Sequence, residues 1–192
     1  MPAKADGGAL EKVKVGRRTV VLRYMEPEDA AAMLTFARSL EPHDLLFLPV
    51  DITDIEAGDP WVDGILLGTT GVILAVAGKE IVGFGAVTRS PTRWMRHIAE
   101  LRVVVGEEFR GRGLGRHLTI QAFRVALDMG VTRMLAQMTF DQLAAIHTFR
   151  RLGFTPLALL HDQVMNDDGT TYDLLLMHQE VATFKDTLQH LS

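Results

Sequence analysis

The spacing of apolar and polar residues predicts alternating strands and helices in the first half of the chain. TVVLRYM (residues 19–25) has the pattern of a strand, and residues 26–40 have the pattern of a helix with Pro27 in its first turn. Residues 51–67 indicate a second, interrupted helix. Two apolar runs on either side of a Gly-Lys turn predict an antiparallel hairpin over residues 71–89.

The second half of the chain continues this alternation of strands and helices. Residues 97–105 form an apolar strand pattern that runs directly into a glycine-rich turn. After the turn, apolar residues recur at helical spacing, and Gly130 follows them as a C-terminal cap: Leu114, Leu118, Ala122, Val125 and Met129. A strand over residues 133–139, a helix over residues 141–153 and a hairpin around NDDGT complete the pattern.

Length and composition favour one α/β domain. The 192 residues are 47% hydrophobic, which is enough for a sizeable core, and we expect a single domain over residues 15–192 after a flexible N-terminus at residues 1–14. A net charge of −4 favours neither nucleic acid nor an anionic membrane as a partner. The first residues lack the apolar core of a secretion signal, and no apolar run approaches ~18 residues, so we expect a cytoplasmic protein.

Cysteine and histidine usage narrows the chemistry. The chain has no cysteine, which excludes disulfides and a cysteine-bound acyl intermediate. The seven histidines are scattered, and none forms an i, i+4 pair with a third ligand. We therefore expect a protein without a metal ion.

The turn in VVVGEEFRGRGLGRHL (residues 103–118) is built to hold a phosphate group. Glycines let backbone N–H groups approach an anion, and the helix that follows adds the positive end of its dipole. A Walker loop is excluded because Arg116 and His117 follow Gly115, and Arg116 also occupies the place of the third glycine in a dinucleotide fingerprint. The alternative is a glycine-rich connection with solvated arginines.

With its surroundings, this turn resembles the acetyl-CoA signature of the GNAT superfamily of N-acetyltransferases. That signature, Gln/Arg-x-x-Gly-x-Gly/Ala, is matched by Arg110, Gly113 and Gly115. AELRVVVGEEFRG is similar to the superfamily's fourth strand, and LAAIHTFRRLGF is similar to its late helix. The resemblance covers residues 19–179. It implies a mixed, mostly antiparallel central sheet flanked by helices, in which two splayed strands form the acetyl-CoA cleft.

The resemblance also implies which residues bind acetyl-CoA, the cosubstrate. The backbone of Val103, Val104 and Val105 is expected to meet the pantetheine arm and the acetyl carbonyl. The turn is expected to surround the pyrophosphate through Arg110, Gly111, Arg112, Gly113, Leu114, Gly115 and Arg116. For each arginine, a solvated surface position is the alternative.

Acetyl transfer needs a neutral amine, and Glu100 is the candidate general base. A free alkyl ammonium has a pKa near ~10.4, so a base must remove a proton at neutral pH. Glu100 lies on the presumed fourth strand, where the family often carries a catalytic glutamate, and alternation places it on one face with Arg102 and Val104. A solvated glutamate and an ion-pair partner of a neighbouring arginine are the alternatives.

The late helix departs from the family pattern. Alignment on Gly153 and Phe154 places Gln142 at the usual asparagine position and Phe149 at the position of the tyrosine that commonly protonates the leaving thiolate. Both are expected to contact the cofactor. Phe149 has no hydroxyl, so water or another group must serve as the acid.

Charge is divided unevenly and bears on the acceptor. Residues 39–78 contain no lysine or arginine but seven acids: Glu41, Asp44, Asp51, Asp54, Glu56, Asp59 and Asp63. This segment suits a cationic amine acceptor, although a solvated acidic loop is the alternative. We expect a small amine acceptor, with a protein N-terminus or lysine as the alternative. A non-catalytic acyl-CoA sensor is a further alternative, and the sequence also allows a homodimer.

Overall fold

The computed structural model describes residues 8–45, 53, 59–166 and 168–184. Eight strands of these residues form one sheet in the order β1-β2-β3-β4-β5-β6-β8-β7. Neighbouring strands are antiparallel except for β5 and β6, which are parallel. The strands are β1 (Glu11–Val15), β2 (Arg18–Tyr24), β3 (Thr70–Ala77), β4 (Glu80–Arg89), β5 (Ile98–Val105), β6 (Arg133–Thr139), β7 (Thr155–Met165) and β8 (Thr171–Glu180).

The helices of the described residues lie close to their predicted positions, except for the short α2, which was not predicted. They are α1 (Ala30–Ala37), α2 (Pro42–Leu45), α3 (Asp59–Leu66), α4 (Leu114–Asp128) and α5 (Leu143–Arg151). The helix predicted over residues 26–40 is shorter, because Pro27–Asp29 form a 3-10 turn before α1. Of the interrupted helix predicted over residues 51–67, α3 is the described part. The acids Asp51, Asp54 and Glu56 lie outside the described residues.

The N-terminal strand β1 was not predicted, and the expectation of a flexible segment through residue 14 is wrong for residues 11–14. Val13 and Val15 point into the core with exposed fractions of 6% and 2%, whereas the lysines between and beside them face solvent. Charged side chains are typical of an edge strand, where they discourage pairing with other chains. Because of β1, the presumed fourth strand is the fifth in this chain.

Two apolar layers cover the two faces of the sheet. The larger layer lies under α4 and α5, and its Phe123 ring stacks on Phe184 with 3.7 Å between the centroids. α4 approaches β3 so closely that a Cβ built on Gly71 would lie 2.4 Å from Val125 Cγ1. The smaller layer lies under α1, where Phe36 packs edge-on against Phe84. Helix packing on both faces therefore holds the sheet whose middle strands carry the candidate site.

An ion pair fixes the start of α1. Both terminal nitrogens of Arg23, on β2, donate to the Asp29 carboxylate at 2.6 Å, and this carboxylate also accepts the Glu26 N–H at 2.9 Å. The hydrogen bonds from Arg23 lower the pKa of Asp29, against the opposing effect of partial burial. The pair ties the first turn of the α1 segment to the sheet.

This ion pair predicts a pH-dependent stability. A carboxylate with a lowered pKa in the folded state stabilises the fold above its unfolded-state pKa of ~3.9, and that stabilisation is lost as the pH falls through the folded-state pKa. We expect Asp29→Asn to lower the free energy of unfolding by about 1–3 kcal/mol at pH 7. The difference from the parent should shrink below about pH 4, as measured by urea denaturation. Glu28→Gln removes an exposed charge from the same turn and should change little. An equal loss for Asp29→Asn at both pH values would contradict the assignment.

Candidate functional site

The central feature of the site is a gap between β5 and β6. The two strands pair in parallel from Ile98 with Arg133 to Leu101 with Ala136, and the pairing stops there. β5 nevertheless continues to Val105 and β6 to Thr139. The last residues of both strands therefore diverge, which is the splay that the resemblance implied.

The backbone of β5 directs hydrogen-bonding groups into this gap. The Ser90 N–H donates to the Ile98 carbonyl at 3.1 Å, and the Gly106 N–H donates to the Val82 carbonyl at 2.9 Å. Antiparallel pairing alternates along a strand, so even-numbered residues of β5 face β4 with their N–H and C=O groups. The groups of Val103 and Val105 therefore point towards β6. The expectation that Val104 also offers its backbone to a ligand needs correction, because its backbone faces β4.

A cavity of about 740 Å³ occupies the gap and extends over the glycine turn. It is lined by most of the predicted cofactor residues: Val103, Val104, Val105, Arg110, Gly111, Gly113, Leu114, Gly115, Arg116, Gln142 and Phe149. Arg112 lies elsewhere, next to the turn between β1 and β2, where a Cβ built on Gly16 would meet its Nη1 at 2.7 Å. The structure thus brings together residues that are far apart in the sequence.

The glycine turn places the N-terminus of α4 at the cavity wall. Gly113 is the N-cap residue with φ +86°, a left-handed conformation that favours glycine, and α4 has no side-chain cap. A Cβ built on Gly113 would meet no atom within 4 Å, so the surface above it is open. The N–H groups of a first helical turn have no partner within the helix. This arrangement is suited to an anion.

Arg110 crosses the mouth of the gap. Its Nε donates to the Val105 carbonyl at 2.9 Å, and its Nη2 forms an ion pair with Asp44 of α2. The carboxylate of Asp44 is the more buried partner, with 18% of its side chain exposed against 44% for Arg110. Arg110, which was predicted to bind the phosphate, therefore contacts Val105 and Asp44 in this structure.

Glu100 is ion-paired, which was one of the alternatives for this residue. Its Oε1 contacts Nη2 of Arg102, two residues further along β5, as strand alternation predicted. Arg102 is the more buried partner, with 13% of its side chain exposed against 30% for Glu100. Burial lowers the pKa of the Arg102 guanidinium, and the charge of Glu100 opposes this effect. Arg102 also lines the cavity.

Gln142 and Phe149 lie on the opposite wall. Gln142 is the N-cap residue of α5, and Phe149 is on the same helix with 8% of its surface exposed. The Phe149 ring packs edge-on against Phe154 with 4.9 Å between the centroids. Both residues line the cavity, and the phenyl ring of Phe149 offers no proton donor to it.

Sequence reasoning missed the contribution of α2. His43 Nε2 lies 3.3 Å from Thr139 Oγ1 and 3.7 Å from Asp141 Oδ2, at the end of β6, while Asp44 reaches Arg110 beyond β5. α2 therefore contacts the end of β6 directly and is linked to the end of β5 through Arg110, which donates to the Val105 carbonyl. These contacts join residues 96 and 66 positions apart, so no local pattern reports them. The uneven charge was the one signal, because it marked this segment as a border of the acceptor region.

Among the residues that the structure describes, no helix is both long enough and apolar enough to cross a membrane. The same residues contain no group of three His, Asp or Glu side chains arranged to hold a metal ion.

Comparison with known proteins adds family information to this geometry. Mycothiol acetyltransferase of Mycobacteroides abscessus is 29% identical over 151 residues, which is 76% of this chain and 48% of that protein. The chain spans about half the length of the curated relatives it matches.

Solved structures share the fold. A GNAT-family acetyltransferase of Streptococcus pneumoniae superposes with a TM-score of 0.73 at 23% identity, over 84% of this chain and 99% of that chain. Spermidine N-acetyltransferase of Vibrio cholerae, in complex with CoA and spermine, superposes with a TM-score of 0.71 at 14% identity, over 86% and 97%. These identities establish the fold alone. The profile of the acetyltransferase (GNAT) family matches residues 40–154, more than half of the 192 residues, and the chain therefore belongs to this family.

Proposed function

We propose that this chain binds acetyl-CoA in the gap between β5 and β6 and transfers the acetyl group to a primary amine by direct attack in a ternary complex. The observation that carries the proposal is the end of strand pairing at Leu101 and Ala136. It leaves the backbone groups of Val103 and Val105 facing a cavity that also reaches the N-terminus of α4.

The residues around the cavity fit acetyl-CoA. The amides of a pantetheine arm match an exposed strand edge, so Val103 and Val105 bind it as β4 binds the other edge of β5. The open surface at Gly111 and Gly113 accepts the pyrophosphate, where helix N–H groups and the helix dipole act together. Arg116 adds a positive charge at the same wall. Gln142 and Phe149 cover the arm from α5, and the Phe149 ring provides an apolar contact for the sulfur.

Acetyl-CoA supplies the thioester carbonyl at which the acceptor reacts. Glu100 takes a proton from the ammonium of the acceptor, directly or through one water molecule. The amine nitrogen then bonds to the carbonyl carbon as the carbon–sulfur bond breaks, and the thiolate leaves with the bonding electrons. The nitrogen, which carries a positive charge after the attack, loses its second proton to water. Phe149 has no hydroxyl, so the thiolate receives its proton from water or from another group. Arg102 keeps the Glu100 carboxylate in place on β5.

A second candidate function follows from Phe149. Because Phe149 replaces the tyrosine that would protonate the thiolate, a cavity that binds acetyl-CoA here also fits a non-catalytic acyl-CoA-binding module. Release of free thiol from acetyl-CoA, measured across a panel of amines, separates the two functions. Amine-dependent release supports the transferase, whereas binding without release supports the module.

The glycine turn generates a ligand-binding prediction. A ligand at 100 times its Kd stabilises the folded state by about 2.7 kcal/mol, which corresponds to about 5–10 °C in Tm for a chain of this size. We expect acetyl-CoA to produce such a shift in the parent. Gly113→Val should remove most of it, because a side chain at this open position occupies the phosphate site and strains the left-handed backbone.

Gly130→Val is the matched control for this variant. Gly130 follows the other end of α4 with φ +69°, and a Cβ there also meets no atom within 4 Å. Both variants should therefore lower the Tm of the free protein, but only Gly113→Val should lose the shift with acetyl-CoA. An equal shift in the two variants would place the phosphate site elsewhere.

Glu100 generates a kinetic prediction. We expect Glu100→Gln to retain the acetyl-CoA shift in Tm and to lower amine-dependent thiol release by ~10²-fold to 10⁴-fold, the usual contribution of a general base. The loss should be smaller at high pH, where more of the amine is already deprotonated. Steady-state rates over a pH series measure both effects.

Glu108→Gln is the control for the loss of a carboxylate near the site, since Glu108 is exposed on the 3-10 turn after β5. It should leave the rate close to that of the parent. A decrease of less than about threefold in the rate of Glu100→Gln is well below the range for a general base. That result would reduce the role of Glu100 to its structural ion pair with Arg102.

A further inference from the structure

The gap between β5 and β6 connects the two faces of the sheet. Val103 and Val105 pack with the apolar layer under α4, whereas Val104 packs with the layer under α1. On β6, Met134, Ala136 and Met138 belong to the α4 layer, so alternation places Gln137 on the opposite face. Gln137 and Arg102 nevertheless line the same cavity as the α4 terminus. A ligand that enters this cavity beside α4 can therefore reach the face of the sheet that carries Arg102.

That second face carries the ion pair of Glu100 and Arg102. The two side chains lie on one side of β5 at positions i and i+2, and their charged groups touch. Arg102 lines the cavity, and 13% of its side chain is exposed. An ionised group at such depth is unfavourable unless it binds an opposite charge, and Glu100 provides one. Arg102 therefore lies at the cavity wall with the Glu100 carboxylate beside it.

We infer that the acceptor is a free α-amino acid, whose carboxylate binds the Arg102 guanidinium while its ammonium faces Glu100. This inference rests on the proposed acetyl transfer and specifies its acceptor. A zwitterion with adjacent opposite charges is complementary to the adjacent opposite charges of Arg102 and Glu100. A guanidinium has five N–H donors in a planar fork, enough to hold two carboxylates at once. An amine without an anionic group gains no contact with Arg102, and a polycation is repelled by it.

The amino acid also satisfies the balance of the reaction. Glu100 accepts one proton from the ammonium, the nitrogen bonds to the acetyl carbon, and the carbon–sulfur bond breaks to release a thiolate. The nitrogen then loses a second proton to water, and the thiolate takes a proton from water. The products are an N-acetyl amino acid and free CoA. The acceptor nitrogen loses its positive charge in the amide, while the carboxylate remains at Arg102 until the product leaves.

Acceptor pairs that differ by one group test this inference. The probes are L-leucine against 3-methylbutylamine and L-phenylalanine against 2-phenylethylamine, with leucinamide as an α-amine that lacks the carboxylate. We expect kcat/KM for thiol release from acetyl-CoA to be about tenfold to a hundredfold higher for each amino acid than for its matched amine, as for a charge-assisted hydrogen bond. Leucinamide should behave like the amines. Equal values, or a preference for leucinamide, would overturn the inference, and the latter would point to a protein N-terminus.

Variants of Arg102 assign the preference to this residue. Arg102→Gln should reduce the ratio of the two kcat/KM values towards one, and Arg102→Lys should retain part of it because the positive charge remains. Arg133→Gln is the control, since it breaks another ion pair of the sheet, with Glu180, at 2.6 Å. It should keep the parent ratio. An unchanged ratio in Arg102→Gln would overturn the inference.

Two measurements keep the test decisive. If Arg102→Gln does not fold, the parent protein with bound CoA is used instead, and calorimetry compares its affinity for L-leucine with its affinity for 3-methylbutylamine. Equal affinities would count against the inference. Thiol release with amines but without a preference for amino acids contradicts this inference alone. The absence of release with every probe contradicts the proposed function.

Discussion

The site depends on one interruption of backbone hydrogen bonding, where β5 and β6 stop pairing after Leu101 and Ala136. A strand edge in the middle of a sheet is costly, because its N–H and C=O groups need partners when they are removed from water. Here the edge faces a cavity, and Arg110 already donates to one of its carbonyls, that of Val105. The interruption is therefore an opening prepared for a ligand with amide groups.

The surrounding elements lie around this gap between β5 and β6. α4 begins at its mouth and packs against β3 and β4, so the helix N-terminus and the exposed strand edge have a fixed relation. α2 contacts the end of β6 through His43, and its Asp44 is linked to the end of β5 through Arg110. The ion pair of Glu100 and Arg102 lies on the face opposite α4, which separates the proposed base from the proposed phosphate site. The cavity in the gap is thus lined by residues of both faces: the face with the proposed phosphate site and the face with the proposed acceptor site.

Local patterns predicted most of the elements but not their arrangement. β6 has its predicted bounds, and Gly130 follows α4 as expected, because apolar periodicity and glycine caps are local signals. β1 was missed because the small and polar residues at the start of the chain suggested a frayed terminus, although the valines of EKVKV alternate as in a strand. The contact of Asp44 with Arg110 joins residues 66 positions apart, so it depends on the fold. The splay itself came from the family resemblance, since nothing in the apolar pattern of β5 shows where pairing stops.

The central claim is that acetyl-CoA adds to the free edge of β5, and amide hydrogen exchange measured residue by residue tests it most directly. The account predicts that acetyl-CoA slows exchange at the amides of Val103 and Val105, which point into the gap. Exchange at Arg102 and Val104 should change less, because their amides face β4. Protection of Val103 and Val105 that is unchanged by saturating acetyl-CoA would contradict the account.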